Sequence, residues 1–208
     1  MDLHLWLAFV AASLALLVIP GPTLLLVVSY ALTQGRRVAL SMAAGVALGD
    51  LLAMSASLLG LGALVATSAT LFTILKWVGA VYLVWMGIGL WRSAGKAGLA
   101  GLSRPEDLPA GQVFRHAALV TALNPKSIAF FVAFVPQFIT PGAPLAPQFT
   151  VMIATFVSMA ALNALLFALL ANRMRRFLTT PRSAAGVTRL GGAALVGMGL
   201  MTATLRRA

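Results

Sequence analysis

The sequence predicts an all-α integral membrane protein with six transmembrane helices, arranged as two inverted three-helix repeats. Its composition points to the membrane, because 61% of the residues are hydrophobic and only 9% are charged. The mean hydropathy of +0.98 is far above that of a soluble domain. Long apolar segments with few charges recur along the chain, three in each half. An odd number of spans per half makes the second half enter the membrane from the opposite side.

The predicted helices are the apolar segments with few charges, since roughly eighteen apolar residues suffice to cross a bilayer. We place them at residues 4–32, 38–64, 71–91, 115–138, 147–172 and 187–205. The N-terminus lacks the basic segment and cleavage site of a signal peptide, so we expect the first helix to be retained. The chain is then one transmembrane domain, with repeat one at 1–92, a cytoplasmic linker at 93–114 and repeat two at 115–208.

Basic residues predict the orientation. With the N-terminus outside, most of the 15 Lys and Arg residues lie in or beside inner loops, as the positive-inside rule requires. We therefore expect a multi-pass protein of the bacterial inner membrane. Nucleic acid is not an expected partner despite the net charge of +11, because no basic segment interleaved with aromatic residues occurs. Arg206 and Arg207 do not fit this rule, because six helices place them outside. A five-helix topology would place them inside.

Two proline motifs, Pro20-Gly21-Pro22 and Asn124-Pro125-Lys126, interrupt the first and fourth predicted helices. A proline inside a helix removes one backbone hydrogen bond and crowds the carbonyl four residues earlier. In hydrocarbon a freed carbonyl costs several kcal/mol unless protein, water or a ligand satisfies it. Paired interruptions in the two halves of a membrane protein indicate a transporter's binding site, so all six of these residues are candidate substrate-binding residues.

Internal similarity supports the repeat. Residues 79–89 align with 191–201 at an offset of 112 residues, with five identities in eleven positions. At an offset of 103, Pro22 meets Pro125 and Gln34 meets Gln137. The pattern predicts an inverted-topology repeat, from which many secondary transporters are built.

Three polar residues lie deep in predicted helices. Asp50 is the candidate proton-coupling and substrate-binding residue, although it could also be a protonated or wet bystander. Lys126 is a candidate substrate-binding residue if its helix starts before residue 121, and an interfacial lysine otherwise. Asn163 could bind substrate or equally make a structural contact between helices.

Other chemistry is not indicated. The chain has no cysteine, and it lacks zinc-hydrolase, nucleophile-elbow, Walker and paired-carboxylate motifs. We therefore predict neither an enzyme nor an ATP-driven pump, and no cofactor or metal. Gly45 and Gly49 form a GxxxG pair, which we expect to pack helices. The oligomeric state stays open, and a homo-oligomer is compatible with the sequence.

The chain resembles the LysE/RhtB family of amino-acid exporters over its whole length. The likeness rests on Ile19-Pro20-Gly21-Pro22, Gln34-Gly35-Arg36-Arg37, residues 45–49 and 75–83, Leu123-Asn124-Pro125-Lys126 and Phe134-Val135-Pro136-Gln137-Phe138. The resemblance implies export of amino acids or close derivatives, driven by proton exchange, with a small-molecule substrate and the lipid bilayer as partners. It does not choose among lysine, arginine, threonine, homoserine, leucine and cysteine derivatives.

The expected mechanism is alternating access around the two breaks. Freed carbonyls bind the substrate ammonium, and half-helix N-termini face its carboxylate. Asp50 then serves as the proton or amine partner, and Lys126 as its counter-charge or as an anchor for the carboxylate. A cation exporter of the same broad superfamily and a membrane scaffold are the alternatives. A cation exporter needs more acids or soft ligands at depth, and a scaffold leaves the buried prolines unexplained.

Overall fold

A computed structural model of the chain describes residues 2–94, 108–140, 142–179 and 181–204, and every regular element in these ranges is helical. The α-helices are α1 Leu3–Val18, α2 Pro22–Gln34, α3 Ala39–Thr67, α4 Ala69–Ser93, α5 Ala110–Ala122, α6 Pro125–Ala129, α7 Leu145–Thr179 and α8 Pro181–Thr204. Short 3₁₀ segments lie at Gly35–Val38 and Val135–Phe138, and a π-helical turn lies at Phe130–Phe134. The all-α prediction is confirmed.

Segments long and apolar enough to cross a membrane are present in four places within the described residues. They are Pro22–Ala63, Thr73–Ser93, Ala110–Phe138 and Leu145–Ala171, and Leu3–Val18 is a shorter apolar helix. Large apolar side chains such as Leu40, Leu59 and Trp85 are exposed, as expected of a surface that faces lipid. Six spans, their inverted arrangement and the boundaries of the two repeats stay predictions.

Several predicted boundaries were wrong. The helix expected over 115–138 begins earlier, at Ala110, because the Pro109 carbonyl accepts the backbone N–H groups of Gln112 and Val113 and starts the first turn. The last helix begins at Pro181 rather than at residue 187, since proline is favoured in the first turn of a helix. Residues 95–107 of the predicted linker lie outside the described residues, so the linker's form is not assessed.

Both predicted helix breaks are confirmed. The backbone is extended at Ile19 and Gly21, between α1 and α2. It is extended again at Asn124, between α5 and α6. A third interruption was missed, where α6 passes into the π-helical turn and then into the 3₁₀ segment that contains Pro136. That proline stands in the sequence, but the wider winding that precedes it leaves no residue pattern of its own.

The two broken helical stretches run antiparallel and cross near their breaks. Phe9 of α1 packs edge-on against Phe138 at a centroid distance of 5.6 Å. Further along, Thr23 meets Thr121 at 3.3 Å, and Tyr30 at the far end of α2 meets His116 of α5. As residue numbers rise on one stretch they fall on the other.

The remaining contacts fix the directions of the other helices. A methyl group at Gly45 would lie 2.5 Å from the Phe114 carbonyl oxygen, and one at Gly49 would lie 2.6 Å from that of Ala118, so α3 runs parallel to α5 at very close range. Trp6 donates to Thr155, and Asn163 lies against Leu17, so α1 runs parallel to α7. The predicted packing role of the GxxxG pair is confirmed.

Phenylalanine side chains fill the space around the π-helical turn. Phe130 and Phe131 both contact Phe156 of α7, at centroid distances of 6.0 and 4.9 Å. Phe134 continues the cluster toward Phe138, 5.3 Å away. This dense aromatic packing holds the irregular segment against α7, and it places the start of α6 beside the first break.

Candidate functional site

The first break exposes carbonyl groups at the C-terminal end of α1. In a continuous helix the Leu16 carbonyl would accept from the residue at position 20, but Pro20 has no N–H to give. The Ile19 N–H donates to the Leu16 oxygen at 3.2 Å instead, and Lys126 supplies a further donor from the other half of the chain. Its Nζ donates to the Leu16 oxygen at 2.9 Å and to the Ile19 oxygen at 2.8 Å. A positive charge at this position also complements the negative end of the α1 dipole.

A third carbonyl of the same break is satisfied by α7. The side-chain Nδ2 of Asn163 donates to the Leu17 oxygen at 3.3 Å. In a continuous helix that oxygen would accept from Gly21, whose backbone is extended here. Asn163 therefore makes a contact between helices in this conformation, and its predicted role toward a substrate is neither supported nor removed by that contact.

The second break is capped by a side chain of its own segment. The Asn124 Oδ1 accepts the backbone N–H of Lys126 at 3.1 Å, and Pro125 occupies the first helical position of α6. This pairing of an asparagine cap with a following proline is favoured at helix starts. Asn124 Nδ2 donates to Thr23 Oγ1 at 3.1 Å, which ties the second break to the first turn of α2.

Lys126 is enclosed by protein, with only 6% of its surface exposed. This burial is measured within the protein, and the depth of Lys126 in the membrane stays a prediction. Gly21 leaves the space that the side chain needs, because a Cβ atom there would lie 3.3 Å from both Cε and Nζ of Lys126. The glycine between the two prolines thus allows the ammonium group to approach the broken end of α1.

Asp50 lies on α3, beside the same break, and is 2% exposed. Its Oδ1 atom has no hydrogen-bond partner among the described residues. The hydrogen bonds of the Lys126 ammonium go to the α1 carbonyls rather than to Asp50, so the predicted role of Lys126 as counter-charge to Asp50 or as an anchor for the carboxylate stays a prediction. A buried carboxyl group without a partner is costly and calls for a proton, a water molecule or a ligand.

A small cavity of about 30 Å³ joins these groups. Four of the eight predicted site residues line it, namely Asp50, Asn124, Lys126 and Asn163, and the other four, Pro20, Gly21, Pro22 and Pro125, shape the adjoining backbone. A volume of this size holds about one water molecule, whereas small-molecule sites occupy roughly 300 Å³ or more. The structure therefore represents a closed conformation of the site.

Two contributors to this region were missed by sequence analysis. Thr23 lines the cavity and accepts from Asn124, but a threonine two residues after a proline motif carries no recognisable signal. His116 of α5 is the second. Although it is exposed, its Nδ1 pairs with the hydroxyl of buried Tyr30 at 2.8 Å, a contact that requires knowledge of which helices meet.

Comparison with known proteins identifies a matching family model and related membrane proteins. The family model described as LysE type translocator matches residues 14–205. An uncharacterized membrane protein of Vibrio cholerae is 35% identical over 206 residues, covering 99% of this chain and 100% of that protein. The homoserine/homoserine lactone efflux protein of Salmonella typhimurium is 31% identical over 208 residues, covering 100% of both chains. No solved structure matches the chain.

The family match spans the proline motif of the first break, the second break and the π-helical segment, so it covers all the elements that build the cavity. The relatives are named as membrane or efflux proteins, and the chain is a transporter rather than an enzyme. Its partners are accordingly a small-molecule substrate and the lipid bilayer. The chain belongs to the LysE type translocator family.

Proposed function

We propose that this protein exports amino acids or their close derivatives across the bacterial inner membrane, by proton antiport with alternating access. The observation that carries the proposal is the meeting of two helix breaks at one closed cavity that contains both a carboxyl group and an ammonium group. A zwitterion needs partners of both charges and hydrogen-bonding backbone groups, and this cavity supplies them within a few residues of one another.

The site chemistry matches the two ends of an amino acid. The α1 carbonyls of Leu16 and Ile19 and the Asp50 carboxylate are suited to an ammonium group. Lys126 and the positive N-terminal end of α2 are suited to a carboxylate. Asn124 and Asn163 can adjust hydrogen bonding on either side, while Pro20, Gly21, Pro22 and Pro125 keep the backbone broken and the site accessible.

Asp50 is the residue we assign to proton coupling. Its Oδ1 atom lacks a hydrogen-bond partner in the empty, closed site, so a proton on this carboxyl group would relieve the cost of burying a charge. A substrate ammonium would supply that relief in the loaded carrier. Protonation and substrate binding at Asp50 are then mutually exclusive, which is the requirement for antiport.

An inverted repeat would give this site its alternating access. Gly87 of α4 meets Gly192 and Val196 of α8. Gly199 of α8 meets Ala80 and Val84 of α4, and the offset of 112 residues relates the two sets of contacts position by position. The antiparallel course of α4 and α8, and of the two broken stretches, is what an inverted repeat with six spans requires.

The name of the Salmonella relative makes homoserine and homoserine lactone the first substrates to test. The purified protein would be reconstituted in liposomes loaded with unlabelled substrate, and uptake of the labelled compound would be followed by counterflow. We expect exchange above protein-free liposomes for at least one small amino acid or lactone. We also expect that acidifying the solution on the extracellular side of the protein accelerates net export of the substrate from its cytoplasmic side.

Failure of every amino acid and lactone to exchange would overturn the proposed function. The alternatives would then be tested directly with divalent and monovalent cations in the same liposomes. Orientation is tested separately, with reporters fused at residue 100 and at residue 143. We expect cytoplasmic activity from the first and periplasmic activity from the second, because the positive-inside rule sets the N-terminus outside.

A further inference from the structure

We infer that Lys126 is an internal stand-in for the substrate ammonium, and that it occupies the carbonyl pair of Leu16 and Ile19 whenever the carrier is empty. This inference rests on the proposed export function and extends it to the half of the cycle in which no substrate is bound. The loaded carrier would have the primary amine of the substrate on these two oxygens, with Lys126 displaced from them.

The carbonyl pair has the form of an ammonium site. Both oxygens lie at the C-terminal end of α1, where the helix dipole is negative, and both are within 2.9 Å of one nitrogen. Pro20 removes one backbone donor from the Leu16 oxygen, which accepts the Ile19 N–H at 3.2 Å and has a second lone pair for an ammonium group, while the Ile19 oxygen accepts from Lys126. A primary ammonium has three N–H donors, so it can satisfy both oxygens and still donate to a third group such as the Asp50 carboxylate.

The ammonium group of Lys126 can move away from the two carbonyl oxygens. Lys126 reaches the carbonyls through a long, flexible side chain, and its backbone N–H is fixed separately by Asn124 at 3.1 Å. The head group can therefore move while α6 stays in place. Gly21 adds no side chain to obstruct that movement, since even a methyl group there would press on Lys126 Cε and Nζ at 3.3 Å.

A stand-in explains how an empty site can close. Carbonyl groups without a partner in a membrane interior are costly, so a carrier with vacant oxygens would resist closing. Lys126 donates to these oxygens, and the cavity that it lines measures only about 30 Å³. A carrier that can close without substrate can also return to reload, which net export requires. A carrier without the stand-in would close only around a substrate and would act as an exchanger.

The first experiment compares net export with exchange for Lys126→Met in liposomes, at saturating substrate. We expect the ratio of net export to exchange to fall about tenfold or more, the size of effect associated with losing one hydrogen bond to a charged group. Lys76→Met is the matched control, because Lys76 does not line the cavity. Its ratio should equal that of the unaltered protein. An equal loss of export and exchange in Lys126→Met, or no loss of either, would overturn the inference.

The second experiment does not depend on transport. Lys126→Ala vacates the carbonyl pair, so methylammonium should bind there and raise the thermal unfolding temperature of the variant in detergent. Tetramethylammonium has no N–H donor and should not. The unaltered protein should respond to neither. Stabilisation by methylammonium confined to the variant supports the inference even if no amino acid is transported; its absence overturns the inference even where export is established. If the variant can be purified only with methylammonium present, that result also supports it.

Discussion

The two helix breaks differ in how their freed backbone groups are satisfied. At the first break, the carbonyls of Leu16, Leu17 and Ile19 accept from the side chains of Lys126 and Asn163, which lie more than a hundred residues away in sequence, and only Leu16 also accepts a local backbone N–H, that of Ile19, among the hydrogen bonds of the described residues. The N–H group freed at the second break is capped by Asn124, two residues away. The first break therefore depends on the rest of the molecule, and the second depends mainly on its own segment.

Because of this difference, we expect the hydrogen-bond partners at the first break to change during transport and the partners at the second break to stay the same. Donors on side chains from another helix can be replaced by a ligand with the same chemistry, whereas a local cap moves with its helix. The second break is also held to α3 by close small-residue contacts at Gly45 and Gly49. We therefore expect substitutions that change the carbonyls or the side-chain donors of the first break to alter transport, and substitutions that change the cap or the close packing at the second break to alter stability.

The largest effect is expected from Asp50→Asn, beside the first break. An amide cannot carry the coupling proton, so export driven by an acidic exterior should be abolished while substrate counterflow stays measurable in liposomes. Asp2→Asn is the matched control, because Asp2 is exposed at the start of α1 and its side chain makes no capping bond.

Two results would contradict this assignment. Unchanged kinetics and pH dependence in Asp50→Asn, at normal expression, would make the carboxyl group a bystander. A loss of thermal stability that a second substitution, Lys126→Met, relieves would indicate a buried ion pair instead. We expect no such relief, since Lys126 donates to the α1 carbonyls rather than to Asp50.

Gly45→Ala tests the rigid side of the comparison. The new methyl group would meet the Phe114 carbonyl at 2.5 Å and the Ala117 methyl at 2.8 Å, and neither backbone can move away easily. We expect a loss of about 1–3 kcal/mol in the free energy of unfolding, typical of overpacking. Gly89→Ala is the control within another helix, because no atom lies within 4 Å of its added methyl group.

The control should be neutral or slightly stabilising, since alanine favours helix over glycine by about 1 kcal/mol. Thermal unfolding in detergent measures both variants. Equal stability of the two variants would mean that α3 and α5 are not closely packed at Gly45. The conclusion that the second break stays fixed during transport would then be wrong.

Pro20→Ala tests competition for the Leu16 carbonyl. The Leu16 oxygen already accepts the Ile19 N–H at 3.2 Å, and alanine adds a second backbone N–H, which would compete with Lys126 and with the substrate for the remaining lone pair. We expect exchange at low substrate concentration to fall about tenfold, the cost of one hydrogen bond to a charged group. Pro109→Ala in the loop before α5 is the control. A Pro20→Ala variant that exchanges normally would show that the broken end of α1 is not part of the substrate site.

The sequence predicted the positions of the breaks better than their chemistry. Proline is visible in the sequence, and its missing N–H removes a backbone hydrogen bond from the interior of a helix. Both breaks were therefore placed correctly. The partner of each freed carbonyl was not predictable, since it depends on which helices cross. Lys126 was therefore predicted to be either the counter-charge of Asp50 or an anchor for a carboxylate, and not the donor to the α1 carbonyls, while Asn163 was left between two roles. The π-helical turn was missed because its phenylalanines are equally compatible with an α-helix.

The smallest effect is expected where two N-terminal caps are compared. Asn124 caps α6 in a buried setting, and Ser68 caps α4 by accepting from Leu71 at 3.2 Å in an exposed one. Replacing either residue by alanine removes a cap, worth about 1 kcal/mol. Water can replace the lost partner at Ser68. At Asn124 the Lys126 N–H is left buried, so Asn124→Ala should cost about 1 kcal/mol more than Ser68→Ala in thermal unfolding. Equal losses would mean that water reaches the second break, and that both breaks, rather than the first alone, can exchange their partners for a ligand.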